Sequence, residues 1–210
     1  MRFSALFLIA AGLLFSTTTA PAAEPADGFK PLFDGKTLEG WVGDPELWSV
    51  QDGVIVGSSE NKKLPRNSFL ATKETYGDFV LRLKFKLRNH NSGVQIRSKL
   101  HDGYRVTGYQ ADIADNQFLG ILYEEGGRGI LARVNGDEVK KHVNEGDWNE
   151  YEITAQGNKI TQKLNGFTTV EYTETNADIP TKGVIALQLH AGPPMMISFK
   201  DIELKPLSAK

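Results

Sequence analysis

Three stretches of this 210-residue chain carry two hydrogen-bonding side chains at alternate positions: Gln95 with Arg97, Gln110 with Asp112, and Gln188 with His190. Strand side chains alternate in direction, so each pair shares one face while Val94 and Ile96, Ala111 and Ile113, and Leu187 and Leu189 take the other. A sandwich built for stability alone would fill such a face with Val, Ile and Leu, because unpaired buried amides and charges cost roughly several kcal/mol each. A polar, ionisable sheet surface is instead a place to bind something polar. His190 gains or loses a proton near neutral pH, which makes it the first acid–base candidate. Arg97 has the chemistry to clamp a carboxylate or hold a developing oxyanion. Asp112 has the chemistry to act as a base or to accept from paired hydroxyls. The structural alternative for these two is a salt bridge with each other.

The segment from Leu122 to Ile130 holds two carboxylates, an arginine and three glycines, an unusual density for a connecting loop. Adjacent Glu124 and Glu125 point opposite ways in extended chain, so one of them at most enters a shared site. Asn91-Ser92-Gly93 reads as a turn ahead of its strand. His90, His101 and His142 stand in polar, loop-like sequence and read as surface residues. Trp41, Trp48 and Trp148 have rings that stack on sugars, but Trp48 and Trp148 stand in strand-like contexts that favour core packing.

The elements that must position these residues are strands. From Phe79 to Leu87, apolar Phe79, Leu81, Leu83, Phe85 and Leu87 alternate with Val80, Arg82, Lys84 and Lys86, the pattern of a half-buried antiparallel strand. Tyr151–Ala155 and Ile160–Leu164 are joined by a turn at Gly157-Asn158, and Asn165-Gly166 supplies a second tight turn into Phe167–Tyr172. A last strand over about 196–204 is expected near the N-terminal segment. Beyond the first residues no apolar period of 3.6 persists, so an all-β single domain with at most a helical turn or two is expected.

Residues 1–22 combine Arg2, an apolar run from Phe3 to Phe15 and Ala20-Pro21-Ala22, the pattern of a secretory signal peptide; 23–28 reads as a linker and 29–207 as the domain. A secreted or periplasmic protein without a membrane span is expected, since the apolar run is short and no second one follows. The chain has no cysteine, so its stability must come from its core. Its 24 basic and 26 acidic residues form no basic stripe, which argues against nucleic acid and anionic membrane as partners. No nucleophile elbow, phosphate-cradling loop, zinc helix or closely spaced acid pair on one strand is present.

Seven segments in order, Phe33–Trp41, Asn91–Ser98, Gly108–Ile113, Leu122–Ala132, Gly146–Asn149, Leu164–Gly166 and Leu187–His190, resemble the signature segments of the 3-keto-disaccharide hydrolase domain. Two departures stand out: Ala191-Gly192-Pro193-Pro194 replaces a short glycine turn after His190, and Ser198-Phe-Lys-Asp-Ile202 replaces the commoner Phe-Arg-Asn-Ile. The resemblance implies a concanavalin-like jelly-roll sandwich of two antiparallel sheets acting on glycosides oxidised to a ketone at carbon 3. Such a ketone acidifies the hydrogen on carbon 2, so a base removes it, the enolate expels the carbon 1 substituent, and water adds to the enone. The chemistry needs a base, an enolate partner and a proton donor. It casts His190 as base, Arg97 with Gln110 on the enolate, Asp112 as orienter or second base, and Glu125 as acid positioned by Arg128. Gln95, Gln110, Tyr123, Arg128 and Gln188 then form the sugar-binding set. No cofactor is called for, although a divalent ion on His190, Asp112 and Glu125 is an alternative partner for the enolate. The rival reading is a non-catalytic carbohydrate-binding module, since jelly rolls serve both purposes.

Overall fold

The computed structural model describes residues 27–208; the expected signal peptide and most of the linker lie outside them. In chain order the elements are β1 (Lys30–Pro31), β2 (Trp41–Val42), β3 (Trp48–Gln51), β4 (Val54–Ser58), β5 (Ser68–Thr72), β6 (Phe79–Leu87), β7 (Asn91–His101) and β8 (Arg105–Ala114). They continue with β9 (Leu122–Glu125), β10 (Gly129–Ala132), α1 (Gly136–Lys140), β11 (Asn149–Gln156), β12 (Lys159–Leu164), β13 (Phe167–Thr173), β14 (Val184–Leu189) and β15 (Met196–Pro206). One antiparallel sheet runs β13-β12-β11-β6-β15-β4-β3 with β1 on β15, and the other runs β10-β9-β8-β7-β14-β5-β2. This is the expected two-sheet jelly-roll sandwich. Among the described residues no helix is long and apolar enough to cross a membrane.

Local sequence explains much of the framework. Along β6, Phe79, Leu81, Leu83 and Phe85 are buried, while Arg82 and Lys84 on the alternate face pair with Glu152 and Asp201. Each such apolar side chain contributes about 2 kcal/mol by leaving water. Asn165 and Gly166 both take positive φ, 48° and 82°, as a two-residue hairpin between right-twisted strands requires. The single turn of α1 is capped by Asn135, whose side chain accepts from the amides of Asp137 and Glu138. Strand β15 reaches the N-terminal segment through β1, pairing Leu204 with Lys30.

The sheet β10-β9-β8-β7-β14-β5-β2 positions the residues singled out above. Strands β7, β8 and β14 are neighbours, with Gln95 opposite both Gln110 and Ala186. Val94, Ile96, Ala111, Ile113, Leu187 and Leu189 face the other sheet and join the main core. The polar set therefore lies on the face turned away from the partner sheet. Asn91-Ser92-Gly93 belongs to β7 itself and not to a preceding turn, with the Ser92 hydroxyl donating to the Gln188 carbonyl at 2.7 Å.

Arg97 departs from the alternation. The β7–β8 register slips between Ile96 and Lys99, and Arg97 takes φ 48°, the left-handed geometry of a bulge residue. The bulge turns its side chain towards the other sheet. There its guanidinium donates to Gly77 O at 2.8 Å, Gly157 O at 2.6 Å and Asp78 Oδ1 at 2.6 Å. It is neither an oxyanion ligand nor the partner of Asp112; it fastens the β11–β12 turn to the opposite sheet.

Candidate active site

A hollow of about 330 Å³ opens on the outer face of this second sheet. Its walls come from the start of β7 (His90, Asn91), from β8 (Gln110, Asp112), from β9 (Tyr123, Glu125), from the end of β14 (Gln188, His190), and from Asn67 just before β5. A larger groove of about 670 Å³ includes Arg97, Tyr109 and Glu124 in its lining. Those groups are committed elsewhere: Arg97 to Asp78, Tyr109 to Glu174 and Glu124 to Arg128. The smaller hollow is where titratable groups keep free capacity.

A directional chain of amides forms its floor. The Ser98 hydroxyl donates to Gln95 Oε1 at 2.7 Å, Gln95 Nε2 donates to Gln110 Oε1 at 2.8 Å, and Gln110 Nε2 donates to Asp112 Oδ1 at 2.6 Å. The second hydrogen of Gln110 Nε2 points at Gln188 Oε1, 3.5 Å away. The chain needs Gly93, which lies opposite Asp112: a Cβ there would meet Gln110 Cδ at 2.5 Å and Nε2 at 2.8 Å. Gln95 is fully buried behind Gln110 and does not line the hollow, so it supports the site and does not contact ligand. Gln110 has both amide hydrogens committed, which removes it from the enolate role and makes it an orienting group. Gln188 Nε2 is buried with no partner among the described residues, a state that costs about 1–3 kcal/mol unless a ligand completes it.

The ionisable groups are tuned by burial. Burial pushes the Asp112 carboxyl up to about 7; the Gln110 amide opposes the shift and Glu125 adds to it. Burial also raises Glu125, against the hydrogen bond that Asn67 Nδ2 donates to its Oε1 at 3.2 Å. Tyr123 is raised by burial, with Glu125 and Asp112 adding. For His190, burial lowers the imidazole below its ordinary value, the Ala191 carbonyl opposes this and His90 reinforces it. Nδ1 of His190 lies against the Ala191 carbonyl, which only accepts. That nitrogen therefore carries the proton, and Nε2 keeps the lone pair a base needs.

Two sequence expectations fail here. Arg128 does not position Glu125: its Nε donates to Glu124 Oε2 and its terminal nitrogens clamp Glu174 at 3.1 and 2.7 Å. Glu124 points to the core side of β9, so only Glu125 of the adjacent pair reaches the hollow. His90, read from sequence as a surface residue, has Nε2 3.2 Å from His190 Nδ1, with the rings edge to face at 4.9 Å. Asn67 was also missed; besides holding Glu125, its Oδ1 accepts from the Ala191 amide at 2.9 Å. Nothing local marks either residue, because their partners are 58 to 124 positions away. None of the three tryptophans lines the hollow: Trp41 and Trp48 are core, and half-exposed Trp148 lies under the Lys200 ammonium. His190, Asp112 and Glu125 share the hollow, but among the described residues no three His, Asp or Glu side chains form a group able to hold a metal ion.

The model of the 3-keto-alpha-glucoside-1,2-lyase-like domain matches residues 28–205, nearly the whole described chain. The chain belongs to this family. As a 3-keto-alpha-glucoside-1,2-lyase-like domain it is a glycosyl-hydrolase-like jelly roll, which fits a carbohydrate ligand. Two candidate glycosyl hydrolases from Parabacteroides distasonis have similar structures. One has a TM-score of 0.67 at 22% identity over 90% of this chain and 99% of its own, the other 0.65 at 27% over 85% and 99%. The carbohydrate binding module CBM66 from Bacillus subtilis shares the fold, with a TM-score of 0.61 at 13% identity over 79% of this chain and 95% of the module. Comparison with curated proteins returns no match.

Proposed function

We propose that this domain cleaves glycosides whose sugar carries a ketone at carbon 3, by elimination across carbons 1 and 2 followed by hydration. The observation that carries the reading is an imidazole whose Nδ1 faces the Ala191 carbonyl, leaving Nε2 for a lone pair, in one hollow with two carboxyls whose hold on a proton burial strengthens, Asp112 up to about 7. His190 Nε2 takes the proton from carbon 2, and the electron pair moves onto the ketone oxygen as the enolate. The enolate reforms the ketone, a double bond forms between carbons 1 and 2, and the carbon 1–oxygen bond breaks. The departing oxygen takes its proton from Glu125, and Asp112 is the second proton-carrying group. Water then adds its oxygen to carbon 1 and a proton to carbon 2. An oxocarbenium mechanism would want one carboxylate firmly ionised beside the sugar, and burial works against that for both acids. The N-terminal pattern supports action outside the cytoplasm, on sugars already oxidised by another enzyme.

The rival is a carbohydrate-binding module without turnover. Incubating the protein with 3-keto-trehalose and with trehalose, while following loss of disaccharide, separates the two. The expected result is cleavage of the ketone only, with His190→Gln slower by about 10^2 to 10^4 and still folded, the worth of a placed general base. Binding of both sugars without turnover supports the module. Cleavage of unoxidised trehalose would make Asp112 and Glu125 an ordinary glycosidase pair and refute the proposal.

A further inference from the structure

The elimination leaves a negative charge on the carbon 3 oxygen, which some group of the hollow must meet. Among its described lining residues there is neither lysine nor arginine. Arg97 is turned to the opposite sheet and Arg128 is clamped on Glu124 and Glu174. Gln110 is committed to Asp112 and Gln188, and Asn67 to Glu125. Asn91, Asn116 and Tyr123 also line the hollow, but the buried amide nitrogen there that lacks a partner among the described residues is that of Gln188. Gln188 has no solvent exposure, and it lines the hollow beside His190.

The orientation of that amide is fixed from behind. Asp112 accepts from Gln110 Nε2, so the same nitrogen faces Gln188 Oε1; turning Gln188 over would set two NH2 groups against each other. The preference runs back through Gln95 to the Ser98 hydroxyl, whose one hydrogen has Gln95 Oε1 at 2.7 Å as its nearer acceptor and the Ile96 carbonyl at 2.9 Å as the alternative. Strand pairing holds the backbone rigidly, with Gln188 opposite Phe69 and its carbonyl capped by Ser92. A donor held in place before the reaction, in a site shielded from water, is what stabilises charge that appears only in the transition state.

We infer that Gln188 is the oxyanion donor of this site: its Nε2–H donates to the carbon 3 oxygen as it becomes an enolate, and Gln110, Gln95 and Ser98 are positioning residues that aim it. The inference rests on the elimination reading proposed above. It also gives a basis for selectivity, since a hydroxyl at carbon 3 develops no charge there and gains little from the donor.

The test compares wild type with Gln188→Met and Gln188→Leu, each of which removes the donor. On 3-keto-trehalose both should lose about 10^2 to 10^3 in kcat, the usual effect of deleting one oxyanion donor, with KM changed little. Rates within a few-fold of wild type in a folded Gln188→Met protein overturn the assignment while leaving the elimination intact. Because a buried position tolerates change poorly, the unmodified protein supplies a second readout: the 15N-resolved side-chain amide of Gln188. Its proton should move downfield on adding 3-keto-trehalose. A response from His190 without one from Gln188 overturns the assignment. If wild type neither binds nor cleaves 3-keto-glycosides, the proposed function falls, and this inference with it.

Discussion

Gly93→Ala adds one methyl group at the point where the amide chain crosses its strand. The new Cβ would meet Gln110 Cδ at 2.5 Å, Cγ at 2.6 Å and Nε2 at 2.8 Å, so the Gln110 side chain must leave its place. Three hydrogen bonds go with it: the one it accepts from Gln95, the one it donates to Asp112 and the long one to Gln188. The bond to the carboxylate is worth about 1.5–3 kcal/mol, and each 1.36 kcal/mol corresponds to about one pH unit of titration. Asp112 should therefore titrate above its value of about 7 by at least about one pH unit, since the amide was the group holding it down. Overpacking should cost about 1–3 kcal/mol of stability. Turnover of 3-keto-trehalose should fall by about 10 to 10^2, since Gln188 and Asp112 both lose their orienting contact. The measurement is the 13C carboxyl shift of Asp112 against pH in wild type and variant, alongside thermal unfolding and steady-state rates. An unchanged Asp112 titration in a folded Gly93→Ala protein would show that the Gln110 contact does not tune the carboxyl, and the account of the floor fails.

The remaining predictions separate structure from chemistry. Arg97→Ala leaves Asp78 unpaired in a largely buried place and should cost about 3 kcal/mol in chemical denaturation, while the folded fraction keeps its activity; lost activity at unchanged stability would return Arg97 to the site. The folded state holds the Asp112 proton to a higher pH than the unfolded chain, from an ordinary 3.8 up to about 7. This group's contribution is therefore most favourable below about 4 and is lost as the pH rises through about 7. Asp112→Asn should remove that part of the slope in unfolding free energy between those limits; an identical slope in the variant contradicts the assignment.

How much of this could be read beforehand differs from residue to residue. Alternation alone put Gln95, Gln110, Asp112 and Gln188 on one face, because the period of two is a local property of extended backbone. The same rule limited the adjacent pair Glu124 and Glu125 to one entrant, and the register of β9 then chose Glu125. The hairpins at Gly157-Asn158 and Asn165-Gly166 were equally legible, since positive φ is written in the residue types. The rule failed at Arg97, where one extra residue in β7 reverses the side chain; nothing in Gln95-Ile96-Arg97-Ser98 announces a bulge, whose cause lies in the neighbouring strands.

The sequence by itself determined the class of fold, the family, and the stock of groups able to carry the reaction, all of which depend on short-range pattern and residue chemistry. Tertiary structure alone decided which of those groups meet. It set His90 against His190 and Asn67 against Glu125, and drew Arg97 to Asp78 and Arg128 to Glu174. It also closed the floor beneath Gln188, leaving the nitrogen of that amide without a partner among the described residues. Such contacts join residues tens of positions apart on different strands, and their geometry exists only once both sheets have packed and fixed the register between them.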